Sequence, residues 1–474
     1  VATAPRRTSP RSPEARSGDA GARVPTSAAA PEEHALRSNL PFYVYLVFIV
    51  VSLLNLGVRW PWLGVVRPTI LLVGILTIFA LSAGPSALAR VNSREAKILG
   101  ALVAYVIVTL PLVVWPGSVL KNNLEMFIRV STFFFFTAIF VDSPKRLSIF
   151  LLVYVSAQLF RCLEPLYLHE TTGYWGEKTH LGDGVFMGRL AGVPTDIIGA
   201  NGLGFLIVSV MPFLYFWSTH EAKLWKIGIS LALTLPLLYA LSLTSSRSGL
   251  VALVVLVVAI SFFVKRRLLF LAGTAAVLVF GGKSVLSGDQ LARFAGLVGG
   301  GGAGGVTAKG RIDGIMNDLH VWMNAPLFGH GLGTSYEANW NVSGAAYISH
   351  NLYSEALVTL GIFGAGIFFA FLFSIWRSAQ QVYKLTSHAT VNGAPEFTGV
   401  MAWLPKAMIS LIAMCVIFSL SSYGVLEYYW YLFAGLAASL VRLVQEHRAA
   451  QPAAAAPTPT GGAPPRRWRG SARA

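Results

Sequence analysis

Ile348-Ser349-His350-Asn351-Leu352-Tyr353 opens a run that stays largely apolar as far as Trp376. A run of that length crosses a bilayer as a helix. The stretch therefore places an imidazole and an amide at the water-facing mouth of a membrane helix. A titratable group at that level can do proton chemistry on a substrate that is part lipid and part water-soluble.

The rest of the chain reads the same way. Its 474 residues are 54% hydrophobic and 12% charged, about half the charge of an ordinary soluble domain. The apolar residues fall in long runs, which makes this an all-α integral membrane protein with about twelve transmembrane helices. The runs are Pro41–Val58, Val65–Ala83, Ile98–Val114, Leu124–Val141, Leu147–Phe160, Gly202–Trp217, Trp225–Leu243, Ser248–Val264, Leu268–Gly281, Leu352–Trp376, Ala407–Leu420 and Val425–Leu440. They define one membrane domain over residues 39–446, interrupted by a large, partly helical periplasmic loop at about 282–349. Residues 1–38 and 447–474, rich in Ala, Pro, Arg and Ser, read as disordered cytoplasmic tails. The first of them lacks the apolar run and cleavage site of a signal peptide.

The formal net charge of +16 is explained by topology and anionic headgroups. Outside the apolar segments no basic patch is interleaved with aromatic residues, so nucleic acid is not an expected partner. The inner loops carry Arg90, Arg94 and Lys97; Lys145 and Arg146; Lys223 and Lys226; Lys265, Arg266 and Arg267; Arg377 and Lys384. That distribution puts both termini of a multi-pass membrane protein in the cytoplasm. Three segments then share the outer side: Glu164–Ala200, the turn Leu243–Ser248, and the loop at 282–349. Cys162 and Cys415, the two cysteines, lie in or beside apolar runs and read as small apolar filler. No His/Asp/Glu cluster has metal-ligand spacing, so the expected chemistry uses neither a metal nor a cofactor.

Candidate chemistry gathers on that outer side. Arg247 stands where one apolar helix ends and the next begins, flanked by Ser245, Ser246 and Ser248. A guanidinium, hydroxyls and a helix N-terminus pointing one way suit a phosphate; an arginine there equally serves as an interface anchor. Arg311 opens an expected loop helix to Asn324, with apolar residues at Ile312, Ile315, Met316, Leu319 and Met323 forming a face for the bundle or the bilayer surface. A second guanidinium is what a diphosphate requires, although alone it also reads as a solvated loop charge, and Lys309 is a neighbour or further contact. His350 could take a proton from an attacking hydroxyl or simply start a helix. Asn351 caps that helix, and Glu355, one turn on, could orient the imidazole or pair locally. Gly282-Lys283-Ser284 is a false P-loop, because Val277 stands where that motif needs glycine. The run Gly299–Gly305 reads as a linker, and Glu125–Arg129 as a local helical ion pair.

Three motifs, in order, resemble the O-antigen ligase/polymerase family of bacterial polytopic GT-C-type glycosyltransferases. They are Thr244-Ser245-Ser246-Arg247-Ser248-Gly249-Leu250, Pro326-Leu327-Phe328-Gly329-His330-Gly331-Leu332-Gly333, and Ser349-His350-Asn351-Leu352-Tyr353 with Gly361 and Gly364. Arg189-Leu190-Ala191-Gly192 and Asn201-Gly202 also resemble family positions ahead of a helix, so the similarity spans about 189–365. Thr359 and Ser354 depart from the residues frequent in the family. The resemblance implies transfer of a glycan from a polyprenyl diphosphate carrier to a lipid A-core glycan or another growing chain. It assigns the diphosphate to Arg247 and Arg311 and activation of the acceptor hydroxyl to His350, with Arg189, Asn201, Ser246, Ser248 and Asn351 as supporting positions. The rival readings are a transporter or flippase of the same lipid-linked glycans, which calls for mid-membrane charges or internal repeats, and a non-catalytic assembly partner.

Overall fold

A computed structural model describes residues 39–182, 185–196, 198–285, 303–344, 346–387, 390–391, 394–422 and 424–450. Each of the twelve predicted apolar segments overlaps a helix, although Pro41–Val58 crosses a turn at Leu54–Asn55, Ile98–Val114 runs past the helix that ends at Val108, and Val425 precedes the helix that starts at Tyr428. In chain order the principal helices are α1 Leu40–Leu53, α2 Pro68–Ser82, α3 Gly84–Val91, α4 Arg94–Val108, α5 Pro116–Phe140, α6 Pro144–Thr172, α7 Ala200–Glu221, α8 Leu224–Thr244, α9 Arg247–Ser261, α10 Arg267–Val285, α11 Ala303–Trp322, α12 Ser335–Ser343, α13 Leu352–Ser387, α14 Val400–Phe418 and α15 Tyr428–Ala450. By length and apolarity six can cross a membrane (α5, α6, α7, α8, α13 and α14), or seven if α2 and α3, bent by 105° at Ala83, form one broken span. Helices α1 and α9 and the apolar part of α10 are shorter. The chain is a multi-pass membrane protein.

Local chemistry sets the helix starts. Ser93, Ser143 and Ser246 each accept a backbone N–H from the first turn of α4, α6 and α9, satisfying donors that have no partner inside the helix. The centre of the bundle is α15, where Trp430, Tyr431 and Phe433 are fully enclosed between α5, α13 and α4. Its far end carries Arg442, Glu446, His447 and Arg448. The helix runs to Ala450, four residues into the predicted tail; the rest of both tails lies outside the described residues, as do 299–302 of the glycine run.

The sequence reading missed a β-hairpin. Gly176–Gly182 (β1) pairs antiparallel with Val185–Leu190 (β2) inside the expected outer segment Glu164–Ala200. A second, minimal pairing joins Thr390–Val391 to Ala394–Pro395. The segment that follows the first hairpin is tied to α6 by a buried ion pair: the Arg161 guanidinium donates to Asp196 from Nε at 2.5 Å and from Nη2 at 2.9 Å.

Helix α13 is broken at Gly361, whose φ of 65° lies in the left-handed region. The break strands backbone groups, and in a membrane domain these must find protein partners. The segment 326–331 supplies them. His330 N–H donates to Val358 O at 2.8 Å, Gly331 N–H to Thr359 O at 3.0 Å, and Ile362 N–H to Pro326 O at 2.9 Å. A Cβ on Gly361 would come within 2.3 Å of Leu327 O. The motif Pro326–Gly333 is therefore a backbone brace, and buried His330, with Nδ1 3.2 Å from Val358 O, belongs to it.

Candidate active site

Helices α7 and α9 cross so closely that the Cα of Gly204 lies 3.3 Å from where a Cβ on Gly249 would stand. This contact brings the start of each helix together. Ser246 Oγ donates to Asn201 Oδ1 at 2.9 Å, lies 3.2 Å from Ser248 Oγ, and accepts from Gly249 N–H. Arg189 of β2 reaches the same corner. It donates to Thr244 O at 2.9 Å, Glu177 Oε1 at 2.7 Å and Asn201 Oδ1 at 2.8 Å, while Glu177 Oε2 accepts from Ala200 N–H. Arg189 is thus buried and fully engaged, tying the hairpin to α7 and α8. Ser245, between α8 and Arg247, holds φ of 48°, is fully buried, and its hydroxyl has no hydrogen-bond partner among the described residues. A serine in the left-handed region costs about 1–3 kcal/mol, and such strain gathers at functional corners.

A cavity of about 670 Å³ opens beside this corner, lined by Asn201 of α7, Arg311, Asp313 and Asp318 of α11, and His350 and Asn351 ahead of α13. Arg247 does not line it but acts electrostatically on Arg311, as does Arg189. Burial first, and then the positive charges of Arg247 and Arg189, hold the Arg311 pKa below its ordinary value. Arg311 forms no ion pair with a carboxylate among the described residues. Guanidinium groups set against each other in and beside a partly enclosed cavity favour a bound anion.

His350 stands at the cavity rim, exposed to water on one side. The protein wall on the other side lowers its pKa, Arg311 lowers it further, and Asp318 acts in the opposite sense. The ring is therefore neutral, and able to accept a proton, at pH values where an ordinary histidine is partly charged. Asn351 behaves as expected of a cap: its Oδ1 accepts from Tyr353 N–H at 2.9 Å and Ser354 N–H at 3.0 Å, and its Nδ2 donates to Leu420 O at 3.0 Å.

Residues 231–369 match the family model described as O-antigen ligase. This region is similar to O-antigen ligase domains. No curated protein matches the chain at a significant level. The matched region contains Arg247, Arg311 and His350, together with the brace at 326–331 and the break at Gly361. Arg189 and Asn201 precede it and join it through Thr244 and Ser246.

Two expectations need correction, the start of the Arg311 helix and the role of Glu355, and two open readings, the apolar face and Lys309, are narrowed. Helix α11 begins at Ala303, so Arg311 lies on its third turn, and it is the polar face carrying Arg311 and Asp318 that meets the protein. Ile312, Met316 and Met323 point outward. Lys309 is exposed and does not line the cavity. Glu355 does not orient His350: its Oε2 accepts from Gly424 N–H at 2.8 Å and Val425 N–H at 3.3 Å, pinning the loop ahead of α15. The sequence reading also missed Asp318, buried beneath the His350 turn. Its spacing of seven residues from Arg311 sets both on one helical face, a signal present in the sequence.

Proposed function

We propose that this protein transfers a glycan from a polyprenyl diphosphate carrier to an acceptor hydroxyl at the periplasmic face of the inner membrane. The observation that carries the reading is the placement of Arg311 and His350 on one cavity, with Arg247 acting on Arg311, inside the region similar to O-antigen ligase domains. The donor diphosphate docks against Arg311 and Arg247 while its apolar tail lies among the helices. His350 removes the acceptor proton as the oxygen attacks the anomeric carbon. The new C–O bond forms as the sugar–phosphate bond breaks, and the diphosphate departs with the electron pair. The arginines stabilise the charge that grows on it, and direct displacement inverts the anomeric centre. The scheme assigns no step to a metal ion, so transfer is expected to continue in excess chelator.

The outward orientation is supported by α7, which starts at the cavity with Asn201 and ends at Glu221, paired there with Lys223 and Lys226. With those lysines facing the cytoplasm, the cavity faces outward. The acceptor is lipid A-core glycan for a ligase and another growing chain for a polymerase. The test is transfer by purified protein given a polyprenyl-diphosphate glycan and acceptor, comparing wild type with Arg247→Ala, Arg311→Ala and His350→Ala. Each variant is expected to remain folded in detergent and lose transfer. Wild-type rates in all three sink the assignment, and movement of labelled carrier across vesicles without its consumption favours a flippase.

A further inference from the structure

Asp318 is 1% exposed and takes part in neither the diphosphate site nor the proton transfer described above. Its Oδ1 accepts from Ser349 Oγ at 2.8 Å and Asn339 Nδ2 at 3.1 Å, and its Oδ2 accepts from Ser354 Oγ at 2.6 Å. Ser349 immediately precedes His350, and Ser354 sits one turn into α13. The carboxylate therefore grips the histidine's turn on both sides, from a helix 31 and 36 residues away in sequence. Asn339 of α12 closes the arrangement, donating also to Tyr347 O at 3.3 Å and accepting from Asn317 Nδ2 at 3.0 Å.

A buried carboxylate is an expensive clamp. Losing water raises its pKa, and three hydrogen bonds together with the nearby imidazole only work against that rise. A neutral amide could bridge hydroxyls at lower desolvation cost. What an amide lacks is the charge, and that charge acts on His350.

We propose that Asp318 is a positioning residue for His350, locking the imidazole's turn onto the helix that carries Arg311 and placing a fixed negative charge beside it. This rests on His350 serving as the base. The surrounding charges are distinct in role. From α11, Arg311 opposes Asp318 in its effect on the imidazole, and Asp313 lines the cavity with Tyr347. From α13, Glu355 is turned to Gly424 and Val425, with Glu427 beyond it. Arg247 and Arg189 act on Arg311. Removing the Asp318 charge leaves Arg311 unopposed, so the imidazole holds its proton less tightly and the base form persists to lower pH.

The experiment is the pH profile of kcat/KM for transfer, with folded state checked by gel filtration and thermal midpoint. Asp318→Asn is expected to reduce kcat roughly tenfold, leave donor KM nearly unchanged, and move the acidic limb down by about half a unit or more. A double Ser349→Ala, Ser354→Ala variant keeps the charge and loses the grip, so its kcat falls while the limb stays in place. An unmoved limb in folded Asp318→Asn, or full kcat in the double serine variant, overturns the proposal; the second arm decides if Asp318→Asn does not fold. An acidic limb that survives in residual His350→Ala activity instead overturns the base reading on which this one stands.

Discussion

Arg161 and Arg311 are both arginines of a membrane domain, and their surroundings are opposite. Arg161 has its charge matched inside the protein: Asp196 accepts two hydrogen bonds and Gln158 Oε1 a third at 3.1 Å. Arg311 is also partly buried, but the charges that act on it are those of Arg247 and Arg189. A buried charge without a counter-charge is costly. A protein that satisfies one arginine so fully and sets the other against its like uses the first to hold the fold and the second to hold something from outside. Arg189 lies between the two cases, paired with Glu177 and Asn201 while still sensed by Arg311.

The contrast predicts that stability and activity separate. Asp196→Ala leaves the Arg161 guanidinium buried without its carboxylate and is expected to cost about 3–5 kcal/mol of stability, read as a lowered thermal midpoint and less folded protein after extraction. Unchanged stability there would break the comparison at its structural end. Arg311→Ala is expected to do the reverse, cutting transfer about 10²–10³-fold with a thermal midpoint at or above that of the wild type, since it relieves like-charge repulsion. A smaller effect belongs to Arg311→Lys, which keeps the charge and loses the planar fork; a loss of roughly tenfold in transfer is expected, and a loss as large as that of Arg311→Ala would show that fork geometry rather than charge holds the diphosphate. Least of all, Arg129→Ala breaks the exposed pair with Glu125 and is expected to change stability by less than about 0.5 kcal/mol and activity not at all.

The helices were legible because hydrocarbon imposes a length and a composition on whatever lies within it. Their ends were less so. The fifth was expected at Leu147–Phe160 and runs Pro144–Thr172, because Arg161, Glu164 and Pro165 read as a break, whereas Asp196 and Arg59 neutralise Arg161 and Glu164. The hairpin escaped because Gly176–Gly182 has no alternation of apolar residues; its strands are joined by the Arg189–Glu177 pair and the segment after it is tied to α6 by Arg161–Asp196, contacts that composition does not reveal. At the site, Arg247, His350 and Asn351 were readable from residue chemistry at helix ends, and Arg311, on the third turn of α11, from its charge in the outer loop. Asp318 was only half readable: its spacing from Arg311 is in the sequence, but its partners Ser349 and Ser354 are distant in sequence and only the folded loop brings them to it.

The central claim is that the Arg311–His350 cavity consumes a polyprenyl diphosphate donor, and the most direct measurement is the stoichiometry of that consumption. In proteoliposomes given donor and acceptor, wild-type protein is predicted to release one polyprenyl diphosphate for each acceptor glycosylated. His350→Ala is predicted to retain donor binding, seen as a donor-dependent rise in thermal midpoint, and to release almost none. Carrier release at the wild-type rate by His350→Ala, or carrier crossing the bilayer with its glycan still attached, would contradict the account.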